Sequence, residues 1–468
     1  MHDPSVTSRT LFIDAAPIIA PRSDSDRGSI LGYAEGLLRT RRAFLAACAA
    51  LPCSGAAGGI GAGEYAKRRQ ALAEAIGRGV IALVGSTESE GRSGFTGFRQ
   101  ESSFFYLTGH QEPGAALLIA PAHGGQPYRE ILFLADSAGH SRAWSGPSLQ
   151  TEDAGHLGFA EVLTESRFRR TVRAFLRDRS RLAGFAEARP AGDIQARLRH
   201  ERLVEAAGRE PTRDIRLPLA ALRSVKSPAE VALIQAAVEA TEVGFRDAWA
   251  RVADGATERE VAAGLIGGAF RAGCDRLAFA PIVAAGAHAT ILHYQRNSGR
   301  LEHGQMLLID AGGERARYAA DITRSIPVSG QFSEKQRLLY EAVLEAHEQA
   351  LSAVKPGAVL GGPARNSIES VAQRVLRKRA PRGVDPYLPH AIGHHVGLDV
   401  HDPTPPGRSL EPGMVLAIEP GLYLPEEGVG IRIEDTVEVT DDGCRVMSTG
   451  LPRSTDALEG ALASAGTA

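Results

Sequence analysis

Leu307-Leu308-Ile309-Asp310-Ala311-Gly312 sets a carboxylate at the end of an apolar, strand-like run, and Leu416-Ala417-Ile418-Glu419-Pro420-Gly421 repeats the arrangement later in the chain. A second pair of segments echoes in the same way: Asp321-Ile322-Thr323-Arg324 and Glu434-Asp435-Thr436. Each half thus offers one acidic residue at a strand end and another at the start of the next ladder. A carboxylate buried without a partner takes up a proton or unfolds its surroundings. Four of them in apolar sheet, joined by the imidazole of His394, therefore argue for bound cations.

Helical patterns precede each set. Ser227-Pro228-Ala229-Glu230 is a capping box with proline at the first helical position, and Val231, Ile234, Val238 and Phe245 continue at helical spacing, which predicts a helix over 228–250. Thr257-Glu258-Arg259-Glu260 repeats the cap ahead of Val261, Leu265 and Phe270. Ser333-Glu334-Lys335-Gln336 opens a third helix over Leu338, Leu339 and Val343, and a fourth is expected from near Pro363. Two helices then sheet, twice over, reads as an internal duplication. A pseudo-twofold between the halves would bring all four carboxylates into one cleft.

The totals set outer bounds. At 468 residues the chain is too long for one small core and suggests two or three domains. Lys+Arg at 53 against Asp+Glu at 55 leaves no electrostatic case for a nucleic-acid or anionic-membrane partner. Cys48, Cys53, Cys274 and Cys444 show no C-x-x-C spacing, so neither a zinc-thiolate site nor a disulfide framework is expected. Cys274 and Cys444 read as small buried residues.

Residues 1–63 stand apart from the rest. Arg39, Arg41 and Arg42 precede a mildly apolar, alanine-rich run that ends in small residues near Ser54 to Ala57. Thr40-Arg41-Arg42-Ala43-Phe44-Leu45 resembles a twin-arginine export signal, and the apolar run is too short for a permanent membrane span. The alternative is an amphipathic or disordered extension, with the protein remaining cytoplasmic.

Over residues 64–218, helical patterns at 64–76 and 171–177 alternate with short buried-strand runs at 80–84, 115–120 and 131–134, which indicates an α/β domain. Between the first two strands lies Phe98-Arg99-Gln100-Glu101-Ser102-Ser103-Phe104-Phe105-Tyr106-Leu107-Thr108-Gly109, whose three adjacent aromatics read in isolation as core. Residues 219–455 form the second domain and 456–468 a tail.

Six motifs, in order, carry a specific resemblance: Ile291-Leu292-His293-Tyr294, Leu308-Ile309-Asp310-Ala311-Gly312, Ala319-Ala320-Asp321-Ile322-Thr323-Arg324, the run from His390 through His394 and His401 to Asp402, Ile418-Glu419-Pro420-Gly421-Leu422-Tyr423, and Gly430-Ile431-Arg432-Ile433-Glu434-Asp435. With them the chain resembles aminopeptidase P, the Xaa-Pro aminopeptidases, across nearly everything after residue 64. The fold class this implies is α/β (α+β), with a pita-bread (creatinase/methionine-aminopeptidase-like) catalytic domain behind an aminopeptidase P N-terminal domain. The family would place the 98–109 loop against the active site of the same or a neighbouring subunit, and many relatives carry Trp where this chain has Phe105.

The resemblance also implies roles. Asp310, Asp321 and Glu434 would hold one metal ion, and Asp321, His394, Glu419 and Glu434 the other, with Asp321 and Glu434 bridging. An oxygen-rich set with one imidazole favours a hard divalent ion, so two Mn²⁺ per subunit are expected, with Zn²⁺ or Co²⁺ as substitutes. Glu419 would also accept the proton of the attacking water. His293 and His401 are expected to line the pocket for the residue after the cut and to pass a proton to the leaving nitrogen. His390 would shape that pocket and Arg432 hold His401 in place. His395 would point away from His394 and be structural. The reaction implied is release of the N-terminal residue from peptides with proline second. Proline's nitrogen carries no hydrogen in a peptide, so a metal centre acting on the carbonyl meets a difficulty that defeats peptidases gripping that N–H. The alternatives are an Xaa-Pro dipeptidase (prolidase) and a catalytically silent pita-bread binding module. A homodimer or tetramer is implied by resemblance alone. The loop Leu424-Pro425-Glu426-Glu427-Gly428-Val429 is shorter than in some relatives and would border the cleft.

Overall fold

The structure, a computed structural model, describes residues 59–93, 97–136, 148–178, 194–209, 214–362, 364, 367–379 and 390–465. The twin-arginine-like segment, Cys48, Cys53 and Pro363 lie outside the described residues.

In the N-terminal part, helix α1 (Ala62–Ile76) leads into β1 (Ile81–Val84), helix α2 (Ser102–Thr108), and strands β2 (Ala116–Ala120), β3 (Arg129–Leu134) and β4 (Val162–Thr164). The sheet runs in the order β1-β2-β3-β4, antiparallel except for the last pair. Its side chains alternate between two cores. Ala82, Leu118, Ile131 and Phe133 face helices α3 (Phe168–Asp178) and α4 (Ile194–Ala207), whereas Ile81, Leu83, Leu117 and Leu132 join the large core shared with α1 and α2. Burial on both faces is why these strands are continuously apolar instead of alternating.

Within the segment at 98–109, residues 102–108 form helix α2, every side chain of which is buried. Glu101 caps it by accepting from the backbone N–H groups of Ser103 and Phe104, and Gly109 ends it in the left-handed conformation at φ 69°. Phe104, Phe105 and Tyr106 are core, as the sequence read in isolation suggested.

Helix α5 (Arg216–Ser224) leads to the second domain. There α6 (Pro228–Trp249) packs along α7 (Glu258–Arg271), followed by antiparallel β5 (Ile282–Ala285), β6 (Met306–Ala311) and β7 (Ile322–Pro327). The order then repeats. Helices α8 (Glu334–Ala353) and α9 (Ile368–Arg379) precede β8 (Gly393–His395), β9 (Val415–Ile418), the hairpin β10 (Gly421–Leu424) and β11 (Val429–Arg432), then β12 (Asp435–Val439) and β13 (Cys444–Val446). The second sheet runs β8-β9-β12-β13. The two half-sheets meet at the bridge between Thr323 and Glu434. The echoing segments thus become β6 with β7 and β9 with β12, the pita-bread arrangement.

All three expected capping boxes form, at Ser227, Thr257 and Ser333, each worth about 1 kcal/mol of helix stability. The fourth helix starts later than expected because Ser367 serves as its cap, its hydroxyl accepting from the Ser370 N–H at 3.2 Å. Residues 456–465 of the expected tail belong to helix α10 (Thr455–Ala465), which buries Leu458 and Leu462 and is held by Arg337 through Asp456 and Glu459. Cys274 is buried and Cys444 half-buried, and both are free thiols. Among the described residues no helix is long and apolar enough to cross a membrane.

Candidate metal centre

Strand register decides where the acidic groups meet. Asp310 on β6 lies opposite Thr323 on β7, so the two side chains share a sheet face. The Thr323 hydroxyl donates to Glu434 Oε2 at 2.7 Å, across the seam between the half-sheets. Asp321, one residue before β7, is tied to β12 by Thr436, whose hydroxyl donates to the Asp321 carbonyl (2.7 Å) and accepts from its N–H (3.1 Å). Gly312 allows the closest approach of all, since a Cβ there would lie 1.7 Å from the Ala320 carbonyl oxygen. Only a residue without a side chain lets the end of β6 pass so near the residue before Asp321.

From the other half, His394 stands on β8 opposite Ala417, and Glu419 follows β9 with its N–H bonded to the Ile392 carbonyl at 2.8 Å. Ligand atoms of Asp321, His394 and Glu434 lie within 4.8 Å of one another. His394 Nε2 is 3.4 Å from Asp321 Oδ2 and 3.7 Å from Glu419 Oε1. Asp310 and Glu419 lie close enough to act electrostatically on the Asp321 and Glu434 carboxyls, beside the group formed by Asp321, His394 and Glu434. Neighbouring His395 is buried on the opposite strand face.

The donor set fits divalent cations. Asp310 Oδ1 and Asp321 Oδ1 are buried and have no hydrogen-bond partner among the described residues. Buried carboxylate oxygens left over in this way, four acids around one imidazole, are what hard divalent ions require. Burial, then the charges of Asp310 and Glu419, hold the Asp321 carboxyl well above the ordinary carboxylate range. Burial, then Asp321 and Glu419, do the same to Glu434, and burial pushes Glu419 up to about 7.

A native pKa above the unfolded one means the native chain binds more protons. That share of stability is full below about 4.5 and is lost as pH rises through the native value, about 7 for Glu419. Divalent cations compete with those protons. We expect Mn²⁺ to raise the Tm of chelator-stripped protein more at about pH 8 than at about pH 5, as read by thermal denaturation. Equal increments at the two pH values would count against acids gathered around ions.

Around the carboxylates lies a second set of groups. Arg432 was expected beside His401. Its guanidinium instead donates to Asp310 Oδ2, to the Tyr423 hydroxyl at 2.7 Å and to Thr323 Oγ1 at 3.2 Å, because β11 carries it under β6 and the hairpin partner. The Tyr423 hydroxyl, accepting from Arg432, has its own proton free for His390 Nε2 at 2.9 Å. His390 Nδ1 then carries the hydrogen and donates to the Ala391 carbonyl at 2.7 Å. Burial, then Arg432, lowers this imidazole to about 4, so it is neutral at physiological pH.

His401 packs its ring on His394, with centroids 4.0 Å apart. Partial burial, then His394 and His293, lower it to about 4. His293 lies on an exposed stretch after Ile291 and acts electrostatically on both His390 and His401. Sequence reasoning assigned no role to Thr323, Thr436 or Tyr423. Of these, only Tyr423 gave a signal: a buried phenol needs a partner for its hydroxyl.

Comparison with known proteins follows the same lines. The profile of Metallopeptidase family M24 matches residues 232–441, and that of the aminopeptidase P N-terminal domain matches residues 65–183. The chain is similar to the Xaa-Pro aminopeptidase of Haemophilus influenzae, 34% identical over 394 residues that cover 77% of this chain and 88% of the relative. It is similar to the Xaa-Pro aminopeptidase of Escherichia coli, 30% identical over 86% of this chain and 98% of that one. A solved structure of zinc-substituted E. coli aminopeptidase P in complex with product superposes with a TM-score of 0.76 at 29% identity, over 87% of this chain and 99% of that one.

Proposed function

The chain belongs to the Xaa-Pro aminopeptidase family of M24 metallopeptidases and is a metal-dependent aminopeptidase; from that premise we propose that it releases the N-terminal residue from peptides whose second residue is proline, using two Mn²⁺ ions per subunit. The observation that carries this reading is the meeting of Asp321, His394 and Glu434, with Glu419 and Asp310 beside them and with buried Asp310 and Asp321 oxygens that lack partners among the described residues. Asp310, Asp321 and Glu434 would hold one ion, and Asp321, His394, Glu419 and Glu434 the other. When bound, the cations supply Lewis acidity that lowers the pKa of a water and polarises the scissile carbonyl.

The side chains do the rest. Glu419, with one carboxylate oxygen toward His394 and the other toward His390, is placed to accept the water's proton. His401 and His293 would donate hydrogen bonds to the developing oxyanion and relay to the departing proline nitrogen the proton that Glu419 takes from the water. That nitrogen has no hydrogen of its own until it leaves, so no step depends on gripping it beforehand. Arg432 fixes Asp310 and Tyr423, and Tyr423 fixes the tautomer of His390.

Both the prolidase and the binding-module readings give way to the aminopeptidase. The test is a peptide series, Xaa-Pro against Xaa-Pro-Yaa-Yaa, with and without Mn²⁺. We expect release of the free N-terminal residue from the tetrapeptide, stimulated by Mn²⁺. Negligible turnover of the longer peptide would defeat the proposal. The loop at the tip of the β10–β11 hairpin, tied by Lys335 to Glu427 at 2.6 Å, borders this choice of length. We further propose export through the Arg41-Arg42 segment and a homodimer or tetramer, supported by sequence and resemblance; the mass and elution volume of the protein used in that assay check both.

A further inference from the structure

A second charged cluster lies outside the metal centre, where the N-terminal domain meets the turn after β8. That turn runs Gly397-Leu398-Asp399-Val400-His401-Asp402. Arg99, just before α2, donates to the Leu398 carbonyl at 2.6 Å and to Asp399 Oδ1 at 3.4 Å, and it pairs with Glu314 at 3.0 Å. Ser102, the first residue of α2, donates its hydroxyl to the same Asp399 oxygen at 2.6 Å. From behind, Arg223 at the end of α5 spans Asp399 Oδ2 (2.7 Å) and Asp402 Oδ1 (2.6 Å), and Lys226 reaches Asp402 Oδ2 at 3.3 Å. The Asp402 carboxylate also accepts the Asp399 N–H at 3.2 Å, which closes the turn on itself.

His401 is thus flanked by two carboxylates that are both held from outside the catalytic sheet. Among the described residues its own ring makes no hydrogen bond or ion pair, only the ring contact with His394. The turn's backbone therefore sets where the imidazole stands. The two halves of this clamp differ in depth. Arg223, Lys226 and Asp402 are buried, so removing any one strands an unpaired charge and threatens the fold. Arg99 and Asp399 are part-exposed, with 23% and 37% of their side chains open, but Arg99 also pairs with the buried Glu314, so Ser102, which carries no charge, is the half of the clamp that can be removed without stranding one.

We propose that Arg99 and Ser102 are positioning residues through which the N-terminal domain fixes His401 over the metal centre of the same chain. The inference rests on the catalytic role given to His401 above. It makes the N-terminal domain a part of the turnover apparatus, acting on kcat, as distinct from a wall that only selects substrates and acts on KM.

The experiment uses the full, Mn²⁺-loaded chain with a tetrapeptide substrate. Arg99→Ala is expected to lower kcat about tenfold or more, since a displacement of about 1 Å in a reacting group can cost a hundredfold. KM stays within about twofold and bound metal is unchanged. Ser102→Ala, which removes the bond donated to Asp399 and the one accepted from Arg99, shifts kcat in the same direction by less and serves alone if Arg99→Ala does not fold. In the His401→Ala background neither substitution lowers the residual kcat further, because the group they position is gone. The same fold loss in both backgrounds, a rise in KM at constant kcat, or no loss in any variant overturns the clamp. Undiminished turnover in His401→Ala alone overturns the role of His401, and the clamp with it, and is read from the single variant before any comparison is made.

Discussion

Asp321→Asn is expected to lose divalent metal and to lower kcat/KM by well over a hundredfold. Replacing a group that merely supports a ligand already costs about 10- to 100-fold, and Asp321 would bridge both ions. The amide keeps the shape and removes the charge. In cation-free protein that removal relieves repulsion, because burial and the neighbouring Asp310 and Glu419 hold the native carboxyl well above its ordinary range. The variant should therefore be at least as stable as wild type in chelator near neutral pH, which separates loss of the centre from loss of the fold. Elemental analysis, activity and Tm on one preparation decide it. Retention of two ions with normal turnover would end the case for a shared ligand.

His401→Ala should do the opposite with metal: occupancy unchanged, turnover reduced by about 10²- to 10⁴-fold, the range for a positioned proton-transfer group. His401 packs its ring against that of His394, and among the described residues no ion pair or hydrogen bond joins it to a carboxylate of the centre. Its imidazole, lowered to about 4 first by burial and then by His394 and His293, is neutral in the working range and donates an N–H without carrying a full charge toward the cations. A rate within a factor of about two of wild type would refute the assignment.

Much of this site was legible in the linear chain because a charge inside an apolar run is expensive and therefore conspicuous. Asp310, Asp321, Glu419 and Glu434 announce themselves in that way, and so do the helix caps at Ser227, Thr257 and Ser333, whose partners lie three residues away. What depends on distant pairing was not legible. Thr323 reads as an ordinary strand residue until the bridge to Glu434 is formed, 111 positions along the chain. Arg432 was assigned to the wrong neighbour, since nothing local indicates that the β10–β11 hairpin carries it beneath Asp310. The aromatics at 104–106 read as core, but the helix over 102–108 went unread because its cap is Glu101, a residue more familiar inside helices than ahead of them. The tail became a helix for want of only two apolar residues at i and i+4, too short a pattern to weigh alone.

The contact at Gly312 carries one last implication. Main chain lies against main chain there, with no side chain able to act as a spacer. The separation of Asp310 from Asp321, and so the room available to bound divalent metal, is set by the polypeptide itself before any ion arrives. Exchanging one divalent species for another then asks the newcomer to adapt to the chain, and ionic radius becomes the quantity on which discrimination turns.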